Sequence, residues 1–204
     1  MAHEELWGKL SAETPEHVCC RTGMEYDPER EWFILPVLDW TLAIAPTAQQ
    51  IMAIERESCR LQDPPHFALQ AAAAAYLLLA QEAVISLEWI SPLELPAGET
   101  FFRGPHGLPI EGLQATFGDS TKRFAAAATE LGGVPLDYAD ASFKFAVFPR
   151  LAVAVLLWVA DDEFPARARF LVDAAMAREF PLDVLLGLMG LLAGRLICLD
   201  PGQS

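Results

Sequence analysis

The chain has 204 residues, 53% of them hydrophobic, with a formal net charge of -14 and a pI near 4.6. That length and composition suit one domain, 1–204, with enough apolar material for a core and no need of a metal or disulfide framework to fold. Fourteen basic residues face 28 acidic ones and no basic run exceeds Lys122-Arg123, which argues against nucleic acid and against anionic membrane surfaces as partners.

In chain order, Glu4 to Cys20 reads as a short amphipathic helical segment, with residues 1–25 placed at the periphery of the domain. Within it, Thr14-Pro15-Glu16 has the form of an N-cap followed by a first-turn proline, and Gly23 is a stop. Asp27-Pro28-Glu29-Arg30 is a turn. Trp32 to Leu35 and Trp40 to Ile44 are rich in aromatic and β-branched residues and predict two strands, with Pro36 at a strand end or edge. Ala48 to Leu61 fits either a strand or a helix.

Beyond Asp63-Pro64-Pro65, the run His66 to Ala83 is Ala- and Leu-rich and apolar nearly all round, the pattern of a buried helix. Ser86 to Ile90 predicts a short extended piece, and a Pro- and Gly-punctuated connection follows. Ile110 to Phe117 and Thr121 to Leu131 predict helices, the second capped by Asp119-Ser120 and ended by Gly132-Gly133. Ser142 to Phe148 alternates, and Leu151 to Val159 is apolar on both faces, as in a central covered strand. Ala168 to Val172 is a third strand and Pro181 opens a closing helix, Leu182 to Ile197. The expected class is α+β: a mainly antiparallel sheet of about five strands, packed with the Ala-rich buried helix and the C-terminal helix. Phe67 to Ile85 and Leu151 to Ala160 look like membrane segments at first sight. The first is interrupted by Gln70, Gln81 and Glu82, and the second is too short for a bilayer of ~30 Å.

The run Phe143 to Trp158, the stretch Asp161-Asp162-Glu163-Phe164-Pro165-Ala166, the run Phe170 to Asp173 and the Leu-rich closing helix resemble the domain-of-unknown-function family 3786. Trp89 to Pro96 with Gly98 and Phe101, and Phe117-Gly118 with Leu131-Gly132-Gly133, are similar to it as well. The resemblance implies a setting in anaerobic bacteria and archaea, and a role in anaerobic redox or corrinoid and iron–sulfur metabolism. Some similar proteins carry a four-cysteine iron–sulfur module ahead of this domain. That module is missing from this chain, and the resemblance transfers no catalytic residue.

The leading candidate cluster is Trp158, Asp161, Asp162, Glu163, Arg167 and Asp173, with Arg169 nearby. Consecutive acids after a buried strand suit a hard divalent cation or acid–base work. The simpler reading is a solvated hairpin loop whose acids pair with Arg167 and Arg169, its Phe164-Pro165 anchored by packing. His106, in Gly104-Pro105-His106-Gly107, is the histidine best placed as a ligand or base, against the simpler reading of a surface loop residue. The histidines and cysteines lack zinc or iron–sulfur spacing, so no metal is assigned and no cofactor is identifiable. Cys19-Cys20 are adjacent and suit a redox-active vicinal pair, against the simpler reading of a helix position with one thiol buried. The acidic start lacks a signal-like apolar run, so a cytoplasmic location with reduced thiols is expected. Trp32, Phe33, Trp40, Trp89, Phe101 and Phe102 fit either an apolar pocket or plain core.

Two functions follow from this. The first is a non-catalytic binding or accessory protein for a protein partner or an apolar small molecule. The alternative is a small-molecule enzyme built on the carboxylates, with or without a divalent cation. A homodimer is the default assembly.

Overall fold

A computed structural model describes residues 2–55, 67–80, 88–177 and 180–203. The N-terminal segment is two helices, α1 (Ala2–Ala12) and α2 (Pro15–Thr22). The break falls at Thr14, which is extended and whose hydroxyl accepts from the His17 amide at 3.3 Å. Gly23 ends α2 in the left-handed region, where its N–H reaches the Cys19 carbonyl. Trp7, Leu10 and Val18 of this segment are buried.

The first sheet is an antiparallel meander of β1 (Glu25–Asp27), β2 (Trp32–Val37), β3 (Trp40–Ala45) and β4 (Gln50–Glu55). The ambiguous stretch from Ala48 resolves as β4 at Gln50–Glu55, and positions 56–61 lie outside the described residues. β1 pairs with β2 only as far as Ile34. Pro36 is therefore tolerated inside β2, because the side facing β1 has no ladder to supply there.

Next come α3 (Phe67–Leu79), β5 (Trp89–Ile90), α4 (Gly98–Phe101), α5 (Ile110–Phe117) and α6 (Thr121–Glu130). The predicted extension of the Ala-rich helix through 81–83 lies outside the described residues. Ser120 caps α6 by accepting from the Arg123 amide at 3.3 Å. The second sheet follows: β6 (Val134–Leu136), β7 (Ala141–Phe148), β8 (Leu151–Trp158) and β9 (Arg167–Asp173), joined by β5 in the order β5-β9-β8-β7-β6, all antiparallel. α7 (Ala174–Ala177) and α8 (Leu182–Cys198) close the chain. The α+β class holds, and the five-stranded sheet is accompanied by a separate four-stranded one.

β8 is the middle strand, and Leu151 to Leu157 are all buried. Register puts Phe143 and Phe145 opposite Val155 and Val153, and these opposite Phe170 and Val172, so all six share one face. Phe124 of α6 meets Phe143 edge-on with ring centroids 5.6 Å apart, and Phe117 of α5 meets Phe124 at 5.5 Å. Beyond them, α8 packs on α3, α5 and α6. Among the described residues no helix is long and apolar enough to cross a membrane.

Two ion pairs tie α8 and the C-terminus into this frame. Arg195, buried on α8, donates two hydrogen bonds to the Asp39 carboxylate, one of them Nε to Oδ1 at 3.1 Å. Asp39 sits in the β2–β3 turn beside Leu38, whose φ of 53° is left-handed, a conformation that β-hairpins ordinarily give to glycine. The guanidinium also lies 5.0 Å from the centre of the buried Trp40 ring. At the C-terminus the buried Asp200 carboxylate accepts from Arg123 Nε at 2.9 Å and Nη2 at 2.5 Å. Cys198 is disulfide-bonded, a correction to the reduced thiol expected there, since spacing along a chain does not reveal distance in the fold.

Removing one partner of a buried pair strands the other charge. Asp39→Ala is expected to lower the unfolding free energy by about 3 kcal/mol in urea titration, and the double variant Asp39→Ala/Arg195→Met to recover most of that loss. The Arg123 guanidinium beside Asp200 holds its carboxyl below the usual range. Its stabilisation is therefore complete above the unfolded value of about 4 and is lost as pH falls through the depressed folded value. Wild type should thus exceed Asp200→Asn in melting temperature at neutral pH, with the gap closing as acid is added below about pH 4.

Candidate functional site

The acidic stretch after β8 forms the β8–β9 turn. Asp161 is exposed, and its carboxylate accepts the Glu163 amide at 2.8 Å and the Phe164 amide at 2.7 Å, while its own amide donates to the Phe164 carbonyl at 3.0 Å. Those amide bonds hold the Asp161 carboxyl below its ordinary range. Asp162 and Glu163 are exposed. Trp158 is flanked by the Arg167 and Arg169 guanidiniums at 5.8 and 5.9 Å from its ring centre. Asp173 belongs to another place. Trp158 pairs with Arg167 at one end of β9, and Asp173 pairs with Trp89 at the other, about 20 Å away at strand rise. It is fully buried and accepts the Ala175 amide at 3.1 Å. Phe164, expected to anchor the loop, is 58% exposed. The unbroken apolar run of β8 ends at Trp158, which is half-buried.

His106 is exposed and stacks on Phe101, with centroids 4.7 Å apart and planes 11° off parallel. Cys19 is half-buried and Cys20 exposed, and neither is in a disulfide. Burial, helped by Glu16 and Glu25, pushes the Cys19 thiol up, which lowers its thiolate fraction. Of the aromatics singled out, Trp40 lies against Arg195, Trp32 against Arg30, and Phe101 against Phe102 and His106. Phe33 lines a cavity.

That cavity has a volume of about 270 Å³ and lies between the α1–α2 corner and the first sheet. Its aromatic wall is Tyr26 of β1 and Phe33 of β2, register neighbours with ring centroids 5.0 Å apart. Leu10 and Pro46 add apolar surface. Two carboxylates, Glu13 and Glu31, reach it, and no lysine or arginine is among its lining residues. Glu13 is held firmly. Buried Arg21 donates to its two oxygens at 2.8 and 3.1 Å and reaches the Ala80 carbonyl at 3.3 Å, while His17 Nδ1 lies 3.0 Å from Glu13 Oε2. The Arg21 hydrogen bonds keep the Glu13 carboxyl below its ordinary range. Glu31 closes the β1–β2 turn with a left-handed φ of 57°, and its side chain is exposed. The end of α2 is anchored from α3: the Tyr76 hydroxyl donates to the Thr22 carbonyl and accepts the Arg150 amide at 3.1 Å. Burial pushes that phenol up, so it stays a neutral donor.

A family model described as a domain of unknown function (DUF3786) matches residues 14–195. The chain belongs to this family. No curated protein and no solved structure matches it. In this DUF3786 chain the hairpin side of the cavity, with Tyr26, Glu31 and Phe33, falls inside the matched region, whereas the α1 side, with Leu10 and Glu13, lies before it. Among the described residues no three His, Cys, Asp or Glu converge in the manner of metal ligands.

The turn signals Thr14-Pro15 and Asp27-Pro28 mark the two local corners of the cavity in sequence. Arg21 fixes the first of these corners through Glu13, and no pattern in the sequence distinguishes a buried arginine from an exposed one. For the β8–β9 turn, Asp161→Ala is expected to raise amide exchange at Glu163 and Phe164 while leaving the global unfolding midpoint unchanged, as suits an exposed local turn.

Proposed function

We propose that this protein is a non-catalytic binding protein, and that its ligand is a small molecule held in the cavity between the α1–α2 corner and the β1–β2 hairpin. The observation that carries the reading is the cavity itself. It is walled by two aromatic rings on rigid strands and by a carboxylate locked by a buried arginine. A site of this kind presents an apolar body and a few fixed polar groups, which is the usual constitution of a ligand pocket. Its volume of about 270 Å³ sits just below the usual range of roughly 300–1,000 Å³, so the fitting ligand is a compact metabolite. Within anaerobic redox metabolism, the setting that the family resemblance implies, a substrate-sized molecule suits this volume better than a corrinoid.

The acids of the β8–β9 turn support a catalytic reading less well. The Asp161 carboxylate is spent on two backbone amides, and its neighbours face solvent.

The test is to fill the cavity. Thr47 lines it and is exposed, so Thr47→Trp places an indole in the space with little cost to the fold. Wild type screened against a metabolite library by thermal shift should yield compounds that raise its melting temperature. Those shifts should vanish in Thr47→Trp and in Ser11→Trp, which blocks the cavity from the α1 side. Compounds that stabilise both variants as well as wild type would locate binding elsewhere and sink the reading.

A further inference from the structure

We infer that the cavity selects a compact organic cation, a primary to quaternary ammonium of metabolite size. The inference rests on the cavity being the ligand site and specifies what that site recognises. Four observations carry it.

First, the wall is aromatic. Buried Phe33 packs against half-buried Tyr26 with centroids 5.0 Å apart and planes inclined at 49°, so Tyr26 is the ring a ligand can reach. The negative face of such a ring attracts an alkylammonium group. Second, among the described residues no cation lies over either ring. The neighbouring Arg30 is directed elsewhere, 5.4 Å over Trp32 and 3.8 Å from Asp27.

Third, the charge around the cavity is unbalanced. Glu13 is answered by Arg21 and contacted by His17, and serves as a fixed wall. Glu31 lines the same cavity, and among the described residues no hydrogen bond or ion pair engages it. Fourth, the basic groups at hand are occupied. Lys9 donates to the Leu78 carbonyl, and both Arg21 Nε and Nη2 are on Glu13. A cationic ligand would therefore bring the missing positive charge to Glu31 while its apolar surface covers Tyr26 and Pro46. An anion of the same size would meet Glu31 with no compensating donor. A neutral molecule would gain the apolar contacts only.

The discriminating experiment uses the full chain and two matched probes: choline, and its uncharged carbon isostere 3,3-dimethylbutan-1-ol. Binding is read by two-dimensional NMR shift changes at Tyr26, Phe33 and Glu31 amides under titration. Choline should bind wild type at least about tenfold more tightly than the alcohol, with affinity falling as salt is raised. Glu31→Gln should weaken choline by roughly threefold to tenfold and leave the alcohol unchanged. Tyr26→Leu should weaken choline, and Tyr26→Phe, which keeps the ring face, should not. Glu31 lies at an exposed turn and Tyr26 is half-buried, so the melting curve of each variant checks that it folds.

Equal affinity for the two probes, or an unchanged choline affinity in Glu31→Gln, overturns cation selectivity. If the alcohol binds and Thr47→Trp abolishes that binding, the cavity stands as the ligand site and only its charge preference fails. If neither probe shifts the cavity amides, cation selectivity fails as well, and the library screen in wild type and Thr47→Trp decides the cavity separately.

Discussion

A guanidinium inside an apolar core must be answered by a carboxylate, and this constraint organises the molecule at the β2–β3 turn and at the α1–α2 corner. Leaving such a charge unpaired costs several kcal/mol, so each buried arginine captures an element from elsewhere in the chain. Arg195 captures the β2–β3 turn through Asp39 and holds Leu38 in a backbone conformation that a leucine otherwise avoids. Arg21 captures Glu13 and the end of α3 through the Ala80 carbonyl. The first sheet is thereby fastened to α8, and the α1–α2 corner to the end of α3.

The cavity is a by-product of the second fastening. Helices α1 and α2 turn a corner at Thr14 because the backbone there is extended and capped, so they cannot lie flat along the sheet. The β1–β2 hairpin leaves Tyr26 and Phe33 facing the gap under that corner. Apolar pressure alone would close such a gap. Arg21 and Glu13 form a rigid strut beside it, and the Tyr76 hydroxyl holds the end of α2 from below. A space bounded by fixed polar contacts and rigid strands is the kind that a ligand can enter without paying to reorder the protein.

The acidic turn after Trp158 shows how a sequence signal can be chemically suggestive and structurally ordinary. Three consecutive acids at the end of a central strand have the composition of a cation site. Register decides otherwise: a hairpin reversal between Trp158 and Arg167 turns Asp162 and Glu163 outward and uses Asp161 to cap the turn. Asp173, counted with them along the chain, lies a strand length away.

The sequence by itself determined the local elements: the β7-β8-β9 hairpins, the Ala-rich α3, the capped α6, the Pro-opened α8 and the Thr14 and Gly23 boundaries. Each follows from periodicity, propensity and capping within a few residues. Family membership was legible for the same reason, since the apolar run Phe143–Trp158 is distinctive in one dimension. Only the tertiary structure decided that β1–β4 form a sheet of their own, that α1 and α2 reach the core, that Arg21 and Arg195 are buried, and that Glu13, Tyr26, Glu31 and Phe33 surround one space. Those facts depend on pairings over long separations, such as Arg195 with Asp39 and Tyr76 with Thr22. The free energy of such a pairing depends on what surrounds it after folding, and an arginine's neighbours in sequence carry no record of whether water or a carboxylate will meet it.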